Sequence, residues 1–158
     1  MWLLVDGIGA QIGNVTSERE LIFHDGLALF EDGGRLGYTD INGNAVIDAM
    51  YGDATPFENK RATVCADGKY GVMDNVGAYI IPPQFELLCD GGEIKYIYKQ
   101  NGLYGYCNDK GEPVITARYT HAEPFVDGKA VVCENGDYYV INKKGKQLSE
   151  DFLEIIRP

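Results

Sequence analysis

The sequence predicts an all-β protein: tandem three-stranded antiparallel meanders of 34 residues, arranged as an open β array or a propeller-like stack. Three observations carry that prediction. Gly9, Gly43, Gly77, Gly111 and Gly145 are spaced 34 residues apart, and Gly34, Gly68, Gly102 and Gly136 keep the same period. Asp6, Asp40, Asp74, Asn108 and Asn142 stand three residues before the glycines of the first series. Gly33, Asp67, Asn101 and Asn135 directly precede those of the second.

Each column has its own physical reading. An Asp or Asn opening a type I turn caps the turn backbone, and the closing glycine can take positive φ, as in residues 40–43 and 74–77. The Gly-Gly, Asp-Gly and Asn-Gly dipeptides favour the twisted two-residue type I′ hairpin. A unit therefore has two tight turns and three strands. Residues 61–66 alternate small apolar side chains on one face, and residues 70–74 alternate larger ones around Gly71. A third strand is expected at 78–81, followed by an irregular connection at 82–92, long enough to house a binding surface. Units run over approximately 2–35, 36–69, 70–103 and 104–137, with a partial unit at 138–158, in a single repeat domain spanning 1–158. Residues 149–156 read as a short capping helix or a last edge strand.

Other columns keep the register. Phe23, Phe57 and Phe125 share one phase, Ala28, Ala62 and Ala130 a second, and Tyr51, Phe85 and Tyr119 a third. The third unit departs from it, with Gly91 in the phenylalanine column and Tyr96 in the alanine column. A helical repeat of the same length would need apolar residues at helical spacing and few internal glycines, which 20 glycines in 158 residues rule out.

The formal net charge is −10, from 24 acidic and 14 basic residues, and the basic residues form no run longer than Lys143-Lys144. Nucleic acid and anionic membranes are therefore poor partners, because phosphate contacts require clustered positive charge. The N-terminal apolar stretch lacks a basic flank and is too short for a signal peptide or a membrane span. The expected location is cytoplasmic if the chain is full length.

Candidate chemistry lies where residues escape the repeat. Cys65, Cys89, Cys107 and Cys133 have no metal-ligand spacing and read as reduced, partly buried thiols. His24 and His121 are the two histidines, and His121 with Glu123 is the candidate general base. The Asp and Asn column lacks the dense oxygen ligands of a calcium ladder and is better explained by turn capping. The glycine-rich stretch 6–13 has the wrong spacing and context for a dinucleotide loop. In the third unit, Lys95, Tyr96, Tyr98 and Lys99 replace smaller residues; this reads either as repacking around the lost phenylalanine or as a binding site with exposed tyrosines.

The column Trp2, Leu36, Tyr70, Tyr104, Tyr138 is followed by Leu3, Gly37, Gly71, Gly105 and Tyr139. With Ile81-Pro82-Pro83 and Gly26-Leu27-Ala28, this pattern resembles the bacterial WG (KWG-type) repeat family over about four and a half repeats, from Trp2 to about Gln147. Only Trp2 carries the family's tryptophan, with Leu3 in place of its glycine. The resemblance implies an all-β module, often appended to other domains, with no shared catalytic residues.

The expected function is a non-catalytic module for protein or peptide interaction, with Tyr96, Tyr98, Lys95 and His121 as candidate binding residues and no cofactor or metal. A carbohydrate or cell-envelope module is the alternative, since 11 tyrosines and 6 phenylalanines could stack on sugars. An exposed aromatic ladder would favour the sugar, buried aromatics the protein partner. A monomer or a weak end-to-end dimer is expected.

Overall fold

The computed structural model describes residues 1–148; the expected helix or strand at 149–156 lies outside the described residues. Those residues form 17 strands and no helix, so none contains a helix long and apolar enough to cross a membrane. The chain divides into two compact units, Met1–Gln84 and Phe85–Pro158.

The first unit holds three antiparallel sheets. β1 (Trp2–Val5) pairs with β2 (Gln11–Ser17) alone. β3 (Phe23–His24), β4 (Leu27–Asp32), β5 (Arg35–Thr39) and β6 (Ala45–Tyr51) form a four-stranded meander. A second meander comprises β7 (Asp53–Ala54), β8 (Arg61–Ala66), β9 (Lys69–Asp74) and β10 (Tyr79–Phe85), whose last residue crosses the unit boundary. The second unit repeats the plan in β11 (Leu87–Asp90), β12 (Tyr96–Gln100), β13 (Leu103–Cys107) and β14 (Pro113–Tyr119), and then in β15 (His121–Ala122), β16 (Lys129–Glu134) and β17 (Asp137–Asn142).

The repeated sheet thus has four strands where the sequence predicts three. The additional strand is the short first one, which comes with a third tight turn. Asp25-Gly26, Asn59-Lys60 and Asp127-Gly128 all have positive φ at both positions, the type I′ signature. Residues 82–92 are also largely strand rather than an irregular connection. β10 lies at the edge of its sheet, where the missing amides of Pro82 and Pro83 need not break an inner ladder, and β11 follows almost at once. Each complete sheet therefore takes its first two strands from one sequence unit and its last two from the next.

The predicted turns form as expected. In all five copies the Asp or Asn Oδ1 accepts two backbone amides, as from Asn42 at 2.9 Å and Asn44 at 3.0 Å onto Asp40, and from Lys110 at 2.9 Å and Glu112 at 3.0 Å onto Asn108. The closing glycines, Gly9, Gly43, Gly77, Gly111 and Gly145, all have positive φ.

Each unit closes on its own core. In the first, Leu29, Tyr38, Ile47, Tyr51, Phe57, Ala62, Val64 and Met73 are buried together. In the second, the residues 68 positions later, Ile97, Tyr106, Ile115, Tyr119, Phe125, Ala130, Val132 and Ile141, do the same. At the centre of each, a tyrosine meets a phenylalanine edge-on. Tyr38 and Phe57 have ring centroids 4.6 Å apart at 69°, and Tyr106 and Phe125 4.8 Å apart at 67°. The tyrosine hydroxyl donates to a main-chain carbonyl just before the phenylalanine, Thr55 in one unit and Glu123 in the other, both at 2.7 Å. A buried tyrosine needs such a partner for its hydroxyl.

Three glycines make room for the edge strands. A Cβ on Gly37, Gly71 or Gly105 would lie 2.5, 2.4 or 2.6 Å from the carbonyl oxygen of Ile47, Ile81 or Ile115. Gly37 and Gly105 coincide with shifts in the β5–β6 and β13–β14 registers. Gly71→Ala is expected to destabilise the protein by about 2–3 kcal/mol, since main chain rather than a flexible side chain blocks the methyl group. Gly52→Ala, with open space around its Cβ, should stay within about 0.5 kcal/mol of the parent in the same thermal denaturation assay.

Candidate functional site

The third sheet places the candidate tyrosines inside. Tyr96 and Tyr98 are buried, Tyr98 against the Phe85 ring with centroids 5.0 Å apart, and burial pushes the Tyr98 hydroxyl pKa upward. The exposed tyrosines of the sequence reading are therefore not found here; the residues repack the sheet instead. Lys95 is exposed, with its Nζ 5.6 Å from the Tyr96 ring centroid. Gly91 shows why no phenylalanine stands in its column. Its carbonyl accepts the Phe125 amide at 2.9 Å, and a Cβ there would lie against the Ile94 carbonyl oxygen.

The next residues of that connection carry a function that the sequence reading missed. Glu93 reaches into the following repeat, where its carboxylate accepts the Asp127 amide at 3.0 Å and the Gly128 amide at 2.8 Å. Lys143 Nζ lies 3.2 Å from the same carboxylate. In the first unit Asp25 does the same for the Lys60 amide at 3.1 Å. These carboxylates tie one repeat's hairpin to the next. The visible signal was the pair Asp25-Gly26 and Asp127-Gly128, in phase at three periods.

His121 and Glu123 do come together, Nε2 to Oε2 at 3.2 Å, with both side chains about half exposed. The cross-strand row His121–Cys133–Tyr138 runs through β15, β16 and β17, and the His121 and Tyr138 rings are 6.0 Å apart. Its counterpart in the first unit is Asp53–Cys65–Tyr70, where the Tyr70 hydroxyl donates to Asp53 Oδ2 at 2.8 Å and has its pKa pushed up to about 12, first by that bond. The same three register positions thus hold different chemistry in different copies. His121 has a carboxylate partner, but the Cys133 thiol beside it is buried, so the row presents a polar and aromatic surface rather than a paired base and nucleophile.

His24 is exposed on β3, away from this row. All four cysteines are unpaired thiols: Cys107 and Cys133 are buried, Cys65 half-buried and Cys89 exposed. Burial pushes Cys107 up to about 12, which leaves it a poor nucleophile. Among the described residues no three His, Cys, Asp or Glu side chains gather as a metal site.

The fourth sheet also carries a charged cluster without counterpart in the other copies. Arg118 forms two bonds with Glu134, at 3.0 and 3.2 Å, and the Tyr139 hydroxyl donates to the same carboxylate at 2.6 Å. The guanidinium, and then the tyrosine hydroxyl, lower the Glu134 pKa. Tyr139 stands in the column of Gly37, Gly71 and Gly105.

Sheets of this kind, with recurrent residues in turns and cores and variable residues outside, define a tandem β-repeat protein. The family described as WG containing repeat matches residues 37–70 and 104–138, and the chain carries WG repeats at both places. No curated protein matches the chain by sequence. Among solved structures the chain is similar to PorZ, described as an essential bacterial surface component of the type-IX secretion system of Porphyromonas gingivalis. Identity is 16%, over 80% of this chain and 20% of PorZ, with a TM-score of 0.40, a likeness too loose to bear on function. The chain spans about a fifth of PorZ.

The lowered Glu134 pKa sets a sign for pH dependence. A carboxylate stabilised in the folded state contributes above its unfolded pKa, and that contribution is lost as pH falls through the lower folded value. Thermal denaturation between neutral and acidic pH should show Glu134→Gln less stable than the parent at pH 7, with the gap narrowing below about pH 4.5.

Proposed function

We propose that the chain is a non-catalytic repeat module that presents variable side chains to a protein or peptide partner. The observation that carries this reading is the division of labour within the edge strands β6, β10 and β14. Their inward residues repeat, as Ile47, Ile81 and Ile115 and as Tyr51, Phe85 and Tyr119, and all six are buried. Their outward residues do not repeat: Val46, Asp48 and Met50 in β6, Pro82 and Gln84 in β10, and Val114, Thr116 and Arg118 in β14. A constant scaffold with a varied surface is how repeat proteins bind other chains. His121, Glu123 and Tyr138 extend that varied surface on β15 and β17, and exposed Lys95 adds a charge beside β12.

Burial of Tyr38, Tyr51, Tyr96, Tyr98, Tyr106 and Tyr119 supports a protein or peptide partner over a glycan, because it removes the aromatic platforms that sugar stacking needs. The test is a pull-down from lysate and envelope fractions of the source organism with the parent chain and with Val46→Ser/Met50→Ser. A defined protein retained by the parent and lost with the variant is expected. Retention of glycan, or equal retention by the variant, would contradict the reading.

A further inference from the structure

The two-stranded sheet differs from the others in the first unit. Trp2–Val5 of β1 lie 34 residues before the central β5 positions and 68 before those of β9. In the complete sheets these strands are flanked on both sides, β5 by β4 and β6, β9 by β8 and β10. β1 has β2 on one side, and among the described residues no strand pairs with its other edge. Trp2, Leu3 and Val5 are 49, 39 and 52% exposed, and no charge lies between Trp2 and Val5. An unpaired strand edge with exposed apolar side chains is a template for an added strand.

We propose that the free edge of β1 accepts, antiparallel, an extended segment of a partner protein that reads basic residue, Ala, any residue, Val. The complete sheets define this ligand. In β8, Arg61 lies opposite Asp74, Ala62 opposite Met73 and Val64 opposite Gly71. In β16, Lys129 lies opposite Asn142, Ala130 opposite Ile141 and Val132 opposite Tyr139. Lys95 occupies the same column in the third copy, and Leu27 departs from it in the first. Transposed by the repeat onto β1, the basic residue meets Asp6, the alanine Val5 and the valine Leu3. Strand direction, apolar alternation and charge then agree, and the net charge of −10 favours a segment bearing a cation. This edge is separate from the outward faces of β6, β10 and β14, so either surface can fail without the other.

Trp2 is the single tryptophan of the chain and lies within the proposed contact, so its emission reads the edge directly. The full chain would be titrated with an acetylated, amidated peptide of residues 60–66 carrying Cys65→Ser. A saturable blue shift of Trp2 emission is expected, absent with the same peptide bearing Val64→Pro, which cannot continue the ladder. Asp6→Asn should weaken binding about two- to fivefold, the range of an exposed ion pair. Its turn should persist, because Asn108 and Asn142 make the same pair of amide bonds in their own copies. The proposal is overturned by an unchanged spectrum in excess peptide, by an equal response to the proline peptide, or by sizing that shows dimers with Trp2 already blue-shifted, in which case a second copy occupies the edge.

Discussion

Everything else in this chain depends on a tyrosine ring held edge-on against a phenylalanine from the following sheet, its hydroxyl satisfied by a main-chain carbonyl. Tyr38 with Phe57 and Thr55, and Tyr106 with Phe125 and Glu123, are the same device 68 residues apart. Small antiparallel sheets bury too little alone to be stable. The ring pair joins one sheet to the next, adds about 0.5–1.5 kcal/mol beyond its burial, and fixes the spacing at which the flanking apolar columns interlock. The hydroxyl bond makes the contact directional, since a tilted or shifted ring would strand a buried donor.

Around that clamp the polar residues act locally. The Asp and Asn column closes each turn on itself, whereas Asp25 and Glu93 reach forward and close the hairpin of the next repeat. The Glu93 carboxyl pKa is lowered chiefly by the Gly128 amide, in keeping with a carboxylate used as a cap rather than as a reactive group. Function is left to positions that neither turn nor core constrains, which explains why chemistry differs from copy to copy along the same register row.

The 34-residue period, the two turn columns and the strand at Arg61–Ala66 were legible because glycine at positive φ and an Asx side chain in a turn leave a mark at single residues. The 68-residue period was less visible. It is written in the column Tyr38, Val72, Tyr106, Val140, where two residue types alternate and either is acceptable in a strand. The short first strand escaped notice because two residues carry no periodicity, and its turn is Asn59-Lys60 in one copy, which lacks the glycine of Asp25-Gly26 and Asp127-Gly128. Pro82-Pro83 looked like loop because proline excludes inner strands, but not the edge that β10 occupies. Of the candidate site, the His121–Glu123 contact was legible from a spacing of two along a strand, which puts both side chains on one face. The burial of Tyr96 and Tyr98 was not, because it follows from Gly91 giving way to the backbone of Phe125.

Native-state hydrogen exchange on Phe125→Leu tests the clamp most directly, with residues 85–148 as the region read. If the ring pair holds two sheets as one cooperative body, protection falls together in β12–β14 and in β16–β17. Loss confined to β15–β17, the sheet that follows Phe125's own turn, would contradict it and make the single sheet the unit of stability.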